Sequence, residues 1–367
     1  MIRLLKIVKF VSVAFVAVIG LGLAGFFSWR ALAQRANEKA FAIATAHGID
    51  EAGYVEIGGI KQWLQIRGHD RDNPVLLCVH GGPGGTWIPV TRLFAAWEKD
   101  FTVVLWDQRG AGKTLAASGP AIAPTMTIER MAQDGIEVAE HLRRRLGKEK
   151  IVLLGHSFGS ILGVIMAKQR PDLFSAFVGT GQAADLPRSV AIEYQRLRDA
   201  ATAANDARTL RGLAAIGQPP FSNREQVGVY FQCAERYQPP ADSAAMVELQ
   251  RSLLSPPPGY GIGDEWNRMR GFMVVPTWDL YREILGTNLT KLGRDFALPV
   301  FLFQGTEDRV TPLLLAEEYL NGIEAPRKEF VRFAGGGHFT VWSHAEAFGV
   351  ELRQRVRPLA QTKGKSL

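Results

Sequence analysis

Gly155-His156-Ser157-Phe158-Gly159 stands directly after the apolar run Ile151-Val152-Leu153-Leu154 and directly before a second run, Ile161 to Met166, of helical character. A serine hydroxyl attacks a carbonyl only when a base takes its proton, and it meets substrate only from a tight turn between a strand and a helix. The two glycines permit that turn. Ser157 is therefore the candidate nucleophile of an acyl transfer. It requires a base, an acid to orient the base, and N–H donors for the oxyanion.

Each partner has a candidate at the end of a predicted strand. Pro74 to Val79 reads as a buried strand running into His80-Gly81-Gly82-Pro83-Gly84-Gly85, a loop suited to an oxyanion hole, with the N–H groups of Gly82 and Phe158 as the expected donors. Leu298 to Gln304 is an apolar strand followed by Gly305-Thr306-Glu307-Asp308. Asp308 is preferred to Glu307 because it lies just before Arg309-Val310-Thr311-Pro312, where the next helix should begin. Lys328 to Phe333 then leads into Gly335-Gly336-Gly337-His338, which makes His338 the base. Among the other histidines, His156 should point away from the Ser157 hydroxyl, His80 should close its strand with a hydrogen bond, and His344 should open a helix. The order Ser, Asp, His along the chain is the one found in α/β-hydrolases.

His80 to Gly84, Asp107-Gln108-Arg109-Gly110-Ala111-Gly112, the serine elbow, Asp308 and His338 together resemble the proline iminopeptidase branch of the α/β-hydrolases, over about residues 50 to 350. The resemblance implies a Ser-His-Asp serine hydrolase that removes an N-terminal residue, often proline, from a peptide. It also implies a helical cap over the triad whose acids hold the free ammonium group. Glu193, Glu235 and Glu265 are the cap acids taken as candidates for substrate binding; Glu225, Asp279 and Glu283 are further acids in the same stretch. The chain departs from the branch at His156 and Phe158, where glycine and tryptophan are usual, and at Thr114, where serine is usual. It also lacks the tryptophan-rich, glutamate-bearing cap helix of proline-specific members, so an esterase or lactonase with the same triad is the alternative. Epoxide hydrolases and dehalogenases attack with Asp where this chain has Ser157.

Two other strings do not carry chemistry. Gly110-Ala111-Gly112-Lys113-Thr114 ends like a phosphate-binding loop, but the position five before Gly112 is Asp107 instead of glycine. Asp107 is read as structural, bracing Arg109 and its loop. No metal-ligand spacing or cofactor fingerprint is present, and the triad chemistry requires no cofactor.

The elements that would position these residues follow from periodicity. Tyr54 to Ile57 and Lys61 to Arg67 alternate around Gly58-Gly59 as a hairpin, Phe101 to Trp106 and Phe174 to Val178 read as strands, and Thr127 to Leu146 as an amphipathic helix. Alternating strands and helices imply an α/β fold with a mostly parallel sheet covered by helices on both faces. From 182 to 292 the pattern is helical, broken by Pro219-Pro220, Pro239-Pro240 and Pro256-Pro257-Pro258. This stretch is expected to be a cap inserted after the sixth strand, above the strand ends. Trp266, Phe272, Trp278 and Tyr281 are its candidate pocket aromatics. The expected organisation is thus 1–40 anchor and linker, 50–181 and 293–357 the two parts of the core, 182–292 the cap, and 358–367 a basic tail.

The net charge of +7 over 367 residues is confined to the ends. Residues 1 to 40 carry +5 and residues 351 to 367 carry +4, which leaves about −2 for the body. A nucleic-acid partner would need a basic stripe on the folded domain, so the expected partner is a small-molecule or short-peptide substrate. Arg3, Lys6 and Lys9 precede Phe10 to Phe27, an apolar run that spans about 27 Å as a helix. It is read as an uncleaved membrane anchor with the enzyme on the extracytoplasmic side. The alternative is a signal peptide cleaved near Ala31-Leu32-Ala33. Cys78 and Cys233 are expected to be free thiols.

Overall fold

The computed structural model describes residues 2–360 except Val274; the part of the basic tail from 361 onward lies outside the described residues. Eight strands form one sheet: β1 Ile49–Ile57, β2 Ile60–Gly68, β3 Val75–Val79, β4 Thr102–Asp107, β5 Ile151–His156, β6 Phe174–Thr180, β7 Val300–Gly305 and β8 Lys328–Phe333. Their order is β1-β2-β4-β3-β5-β6-β7-β8. β2 pairs antiparallel with both β1 and β4, and the remaining pairs are parallel. The fold is that of an α/β-hydrolase, as expected.

Side chains alternate through the sheet and build a core on each face. Leu77 and Val79 of β3 and Ile151 and Leu153 of β5 join one cluster, with residues of helices α3 (Ile128–Leu146) and α4 (Phe158–Gln169). Leu76 and Cys78, Val152 and Leu154 join the other, with Trp87, Phe94, Trp97 and Phe348. Strands buried on both faces read as continuous apolar runs, which is why β3 and β5 are visible in the sequence. Helix α3 begins where Thr127 accepts the N–H of Arg130 and ends at Gly147 in the left-handed region. Other core helices include α2 (Gly112–Ser118), α11 (Leu313–Gly322), α12 (Thr340–Ser343) and α13 (Ala345–Glu351).

β3 has β4 on one side and β5 on the other, so the chain reverses its winding direction there. Ligands of open α/β sheets bind beyond the carboxyl ends of strands at such a reversal. The His80–Gly85 loop follows β3 and Ser157 follows β5, which puts both at that crevice.

Between β6 and β7 the described residues form six α-helices, α5 Leu186–Ala203, α6 Ala207–Ile216, α7 Arg224–Glu235, α8 Pro240–Leu254, α9 Ile262–Met273 and α10 Trp278–Leu285, and a 3₁₀ turn, Leu289–Leu292. Tyr194, Leu197, Leu213, Ile216, Tyr230 and Cys233 give α5 to α7 a small core of their own. Cys78 and Cys233 are free and buried.

The chain begins with α1, Ile2–Ala40, which contains a stretch long and apolar enough to cross a bilayer. A signal sequence has the same make-up. Its C-terminal part is docked: Arg30 donates to the carbonyls of Ser252, Leu253 and Tyr260, Gln34 to those of Pro257 and Tyr260, and Asn37 to Ser255 Oγ and the Pro256 carbonyl. Arg30 thereby satisfies open carbonyls at the end of α8, where a cation is favoured.

Candidate active site

Ser157 occupies a left-handed conformation, φ 54° and ψ −121°, between β5 and α4. A non-glycine residue held there is strained, and such strain persists only where its surroundings enforce it. They do so through the flanking glycine: a Cβ on Gly159 would lie 2.1 Å from the Val79 carbonyl oxygen, so the elbow sits directly against the end of β3.

The Ser157 hydroxyl donates to His338 Nε2 at 2.9 Å, and the His338 Nδ1–H donates to Asp308 at 3.0 and 3.1 Å. The three residues come from the loops after β5, β7 and β8, and both His338 and Asp308 are buried. Asp308 also accepts Gln304 Nε2 at 2.8 Å, the N–H groups of Val310 and Thr311, and the Thr311 hydroxyl. Burial opposes charge on this carboxylate, but His338 and the Thr311 donors outweigh it and hold its pKa below the usual value. Burial likewise opposes charge on His338, while Asp308 and then Asp242 outweigh it, so its pKa is raised. Glu307, the rival acid, is exposed.

The His80–Gly85 loop runs past the nucleophile. A Cβ on Gly81 would lie 2.9 Å from Ser157 Cβ, which puts the adjoining Gly82 beside the elbow, and Phe158 is the first residue of α4, where helix N–H groups lack intrahelical acceptors. His80 Nδ1–H donates to the Gly81 carbonyl and its Nε2 accepts the Gln108 N–H, while burial lowers its pKa to about 4. His156, lowered to about 3 by burial, donates Nε2–H to the His338 carbonyl at 2.9 Å. Both rings are thus neutral supports of the loops that carry the site.

The bracing role expected of Asp107 toward Arg109 is not what the structure has. Asp107 accepts the Thr86 hydroxyl and the Lys113 N–H, and burial raises its pKa to about 6. Arg109 pairs instead with Asp134 at 2.8 and 3.1 Å and donates to the Gly58 carbonyl. Thr114 donates to the Asp107 carbonyl, which ties this loop into the sheet.

The insertion supplies a residue the sequence did not single out. Asp242, in the first turn of α8 and 3% exposed, accepts the backbone N–H groups of His338 and Phe339, each at 2.9 Å. A Cβ on Gly337 would come within 2.4 Å of that carboxylate, so the glycine run before His338 makes room for it. One acid among many on helical segments offers no periodicity to mark it.

The sequence-derived substrate acids are dispersed. Glu193 is buried in α5 and paired with Arg196. Glu265 is buried in α9, accepting the Ser252 hydroxyl at 2.6 Å and Arg268 Nε at 2.7 Å. Glu235 is exposed at the end of α7, Asp279 pairs with Arg282 at the surface, and Glu283 accepts the Ile128 N–H. Of the expected pocket aromatics, Trp266 and Phe272 are 60% and 54% exposed and point outward instead. α9 packs its Gly271 side inward, and Trp266 lies on the opposite side, facing out.

Residues 74–345 match the α/β-hydrolase fold family. A Bacillus subtilis protein named probable aminopeptidase YbaC is 31% identical, covering 83% of this chain and 95% of its own. A Thermoplasma volcanium proline iminopeptidase is 30% identical, covering 83% and 96%. The crystal structure of a Mycobacterium smegmatis proline iminopeptidase superposes with a TM-score of 0.58 at 22% identity, covering 84% and 99%. The chain belongs to the α/β-hydrolase family. Within it, this hydrolase stands in the proline iminopeptidase-like branch.

Proposed function

We propose that this protein is a membrane-anchored serine aminopeptidase of the proline iminopeptidase type. The observation that supports it is the hydrogen-bonded chain from Ser157 through His338 to Asp308 on a strained elbow. Ser157 Oγ attacks the carbonyl of the N-terminal residue while His338 Nε2 takes the hydroxyl proton. Asp308 fixes the tautomer and stabilises the imidazolium. The N–H groups of Phe158 and Gly82 receive the negative charge on the tetrahedral oxygen. His338 returns the proton to the leaving amine, and water then hydrolyses the acyl-enzyme with the same residue as base. The six inserted helices act as the cap, with Asp242 holding the main chain of the base.

The esterase reading has one observation in its favour. The two buried acids expected to hold an ammonium group, Glu193 and Glu265, are each matched by an arginine. The discriminating assay uses the full chain in detergent with proline arylamide, N-acetylproline arylamide and short acyl esters. Cleavage of the first and not the second is expected. Preference for the esters with indifference to the free amine would overturn the peptidase reading.

For the N-terminus we infer an anchor retained in the mature protein, with the catalytic domain extracytoplasmic. Cleavage near Ala31-Leu32-Ala33 would remove Arg30, which is 6% exposed and bonded to three carbonyls. The mass of the N-terminal peptide of membrane-extracted protein tests this.

A further inference from the structure

Helix α9 is amphipathic with its faces reversed. Ile262, Trp266, Met269 and Met273 follow one another at spacings of four, three and four residues, which is one face of an α-helix. They are 38%, 60%, 46% and 64% exposed, with Phe272 beside them at 54%. On the opposite face Gly271 packs against the main chain of Gly84 and Gly110, and at the flank of the stripe Glu265 is buried by its Ser252 and Arg268 partners. A contiguous apolar stripe of this kind marks a contact surface, since single exposed apolar residues are common and aligned rows are not.

The position of the stripe identifies what covers it. α1 is fastened by Arg30, Gln34 and Asn37 to the end of α8 and the 255–260 loop, and the apolar residues before Arg30 are largely exposed. If those residues enter a bilayer, its surface must pass close to Arg30. The Arg30 guanidinium is 3.0 Å from the Tyr260 carbonyl, two residues before α9 begins, and Leu254 at the end of α8 is 52% exposed beside it. We propose that the outer face of α9 lies in the interfacial layer of the same bilayer that α1 enters, so that the enzyme rests on the membrane through a second, monotopic contact. This rests on the anchor reading. Trp and Met on an interfacial helix bury apolar surface at the headgroup boundary without spanning. Because Gly271 of α9 touches Gly84 of the oxyanion loop, the contact places the catalytic crevice close to the lipid surface.

The test uses the full chain in phosphatidylcholine vesicles with a nitroxide at Met269→Cys, and in parallel at Phe15→Cys in α1 and at Glu51→Cys on exposed β1; the native thiols are buried. The expected result is a Met269 label whose accessibility to a water-soluble nickel chelate is several-fold below that of Glu51 while oxygen reaches it, at a shallower depth than Phe15. A Met269 label as chelate-accessible as Glu51, with Phe15 in lipid, overturns the inference and leaves the anchor standing. Chelate access at Phe15 overturns the anchor reading and the inference with it. Spin–spin broadening at Met269 with loss of oxygen access assigns the face to a second copy and also overturns it. Trp266→Cys, on the same stripe, repeats the measurement should Met269→Cys fail to fold.

Discussion

The Asp242 carboxylate receives the backbone N–H of His338 at 2.9 Å, so a helix of the insertion holds the main chain of the residue whose ring touches Ser157. Replacing one carboxylate oxygen by an amide NH2 leaves one of the two buried N–H groups unsatisfied, at about 1–3 kcal/mol. Asp242 also favours the charged form of His338. Asp242→Asn is therefore expected to lower kcat by about tenfold, the equivalent of about 1.4 kcal/mol, and to move the acidic midpoint of the pH profile downward. A purely structural acid would leave that midpoint in place.

The same profile reports on Asp308. As the proposed base, His338 works only when neutral, and its pKa is raised above the ordinary 6.5. Activity should accordingly rise with pH through a midpoint above 6.5, and fall as acid protonates the ring. Asp308→Asn removes the charge that raises the pKa, so the midpoint should fall while kcat drops on the order of 10⁴-fold. Rates measured across pH 5 to 9 check both.

Ser157→Ala should abolish turnover to the background set by binding and the oxyanion donors, a loss on the order of 10⁴-fold or more. A fluorophosphonate probe should label the parent enzyme at Ser157 and leave the variant unlabelled. Labelling of neither would mean that the domain is a silent binding module.

Gly271 and Gly84 meet main chain to main chain. A Cβ on Gly271 would fall 2.6 Å from the Gly84 carbonyl oxygen, too close for any side chain. Gly271→Ala must push α9 from the His80–Gly85 loop, at a cost of about 1–3 kcal/mol. Reduced kcat/KM and faster amide exchange over residues 81–85 are the expected readouts.

Much of this was legible in the sequence because burial on two faces writes continuous apolar runs. β3, β5 and β7 fall where those runs predict, and α3 begins at the Thr127 cap. Ser157 and Asp308 were legible because each follows such a strand, and His338 because a glycine run precedes it after the edge strand β8; the structure brings the three into contact. Asp242 was not, since its partners are backbone N–H groups almost a hundred residues away. The partner of Arg109 was missed for a related reason: Asp134 lies on α3 and is buried, yet in sequence it looks like any helical acid. Trp266 and Phe272 were assigned inward because aromatic composition does not reveal which side of α9 faces the fold.

The fastening of Arg30 to the last turn of α8 also bears on how the enzyme should be handled. α8 carries Asp242 at its other end, so α1 and the main chain of His338 are tied to one rod. Trimming the first forty residues would cut the guy-line at one end of that rod, so turnover of the shortened chain is expected to differ from that of the full chain.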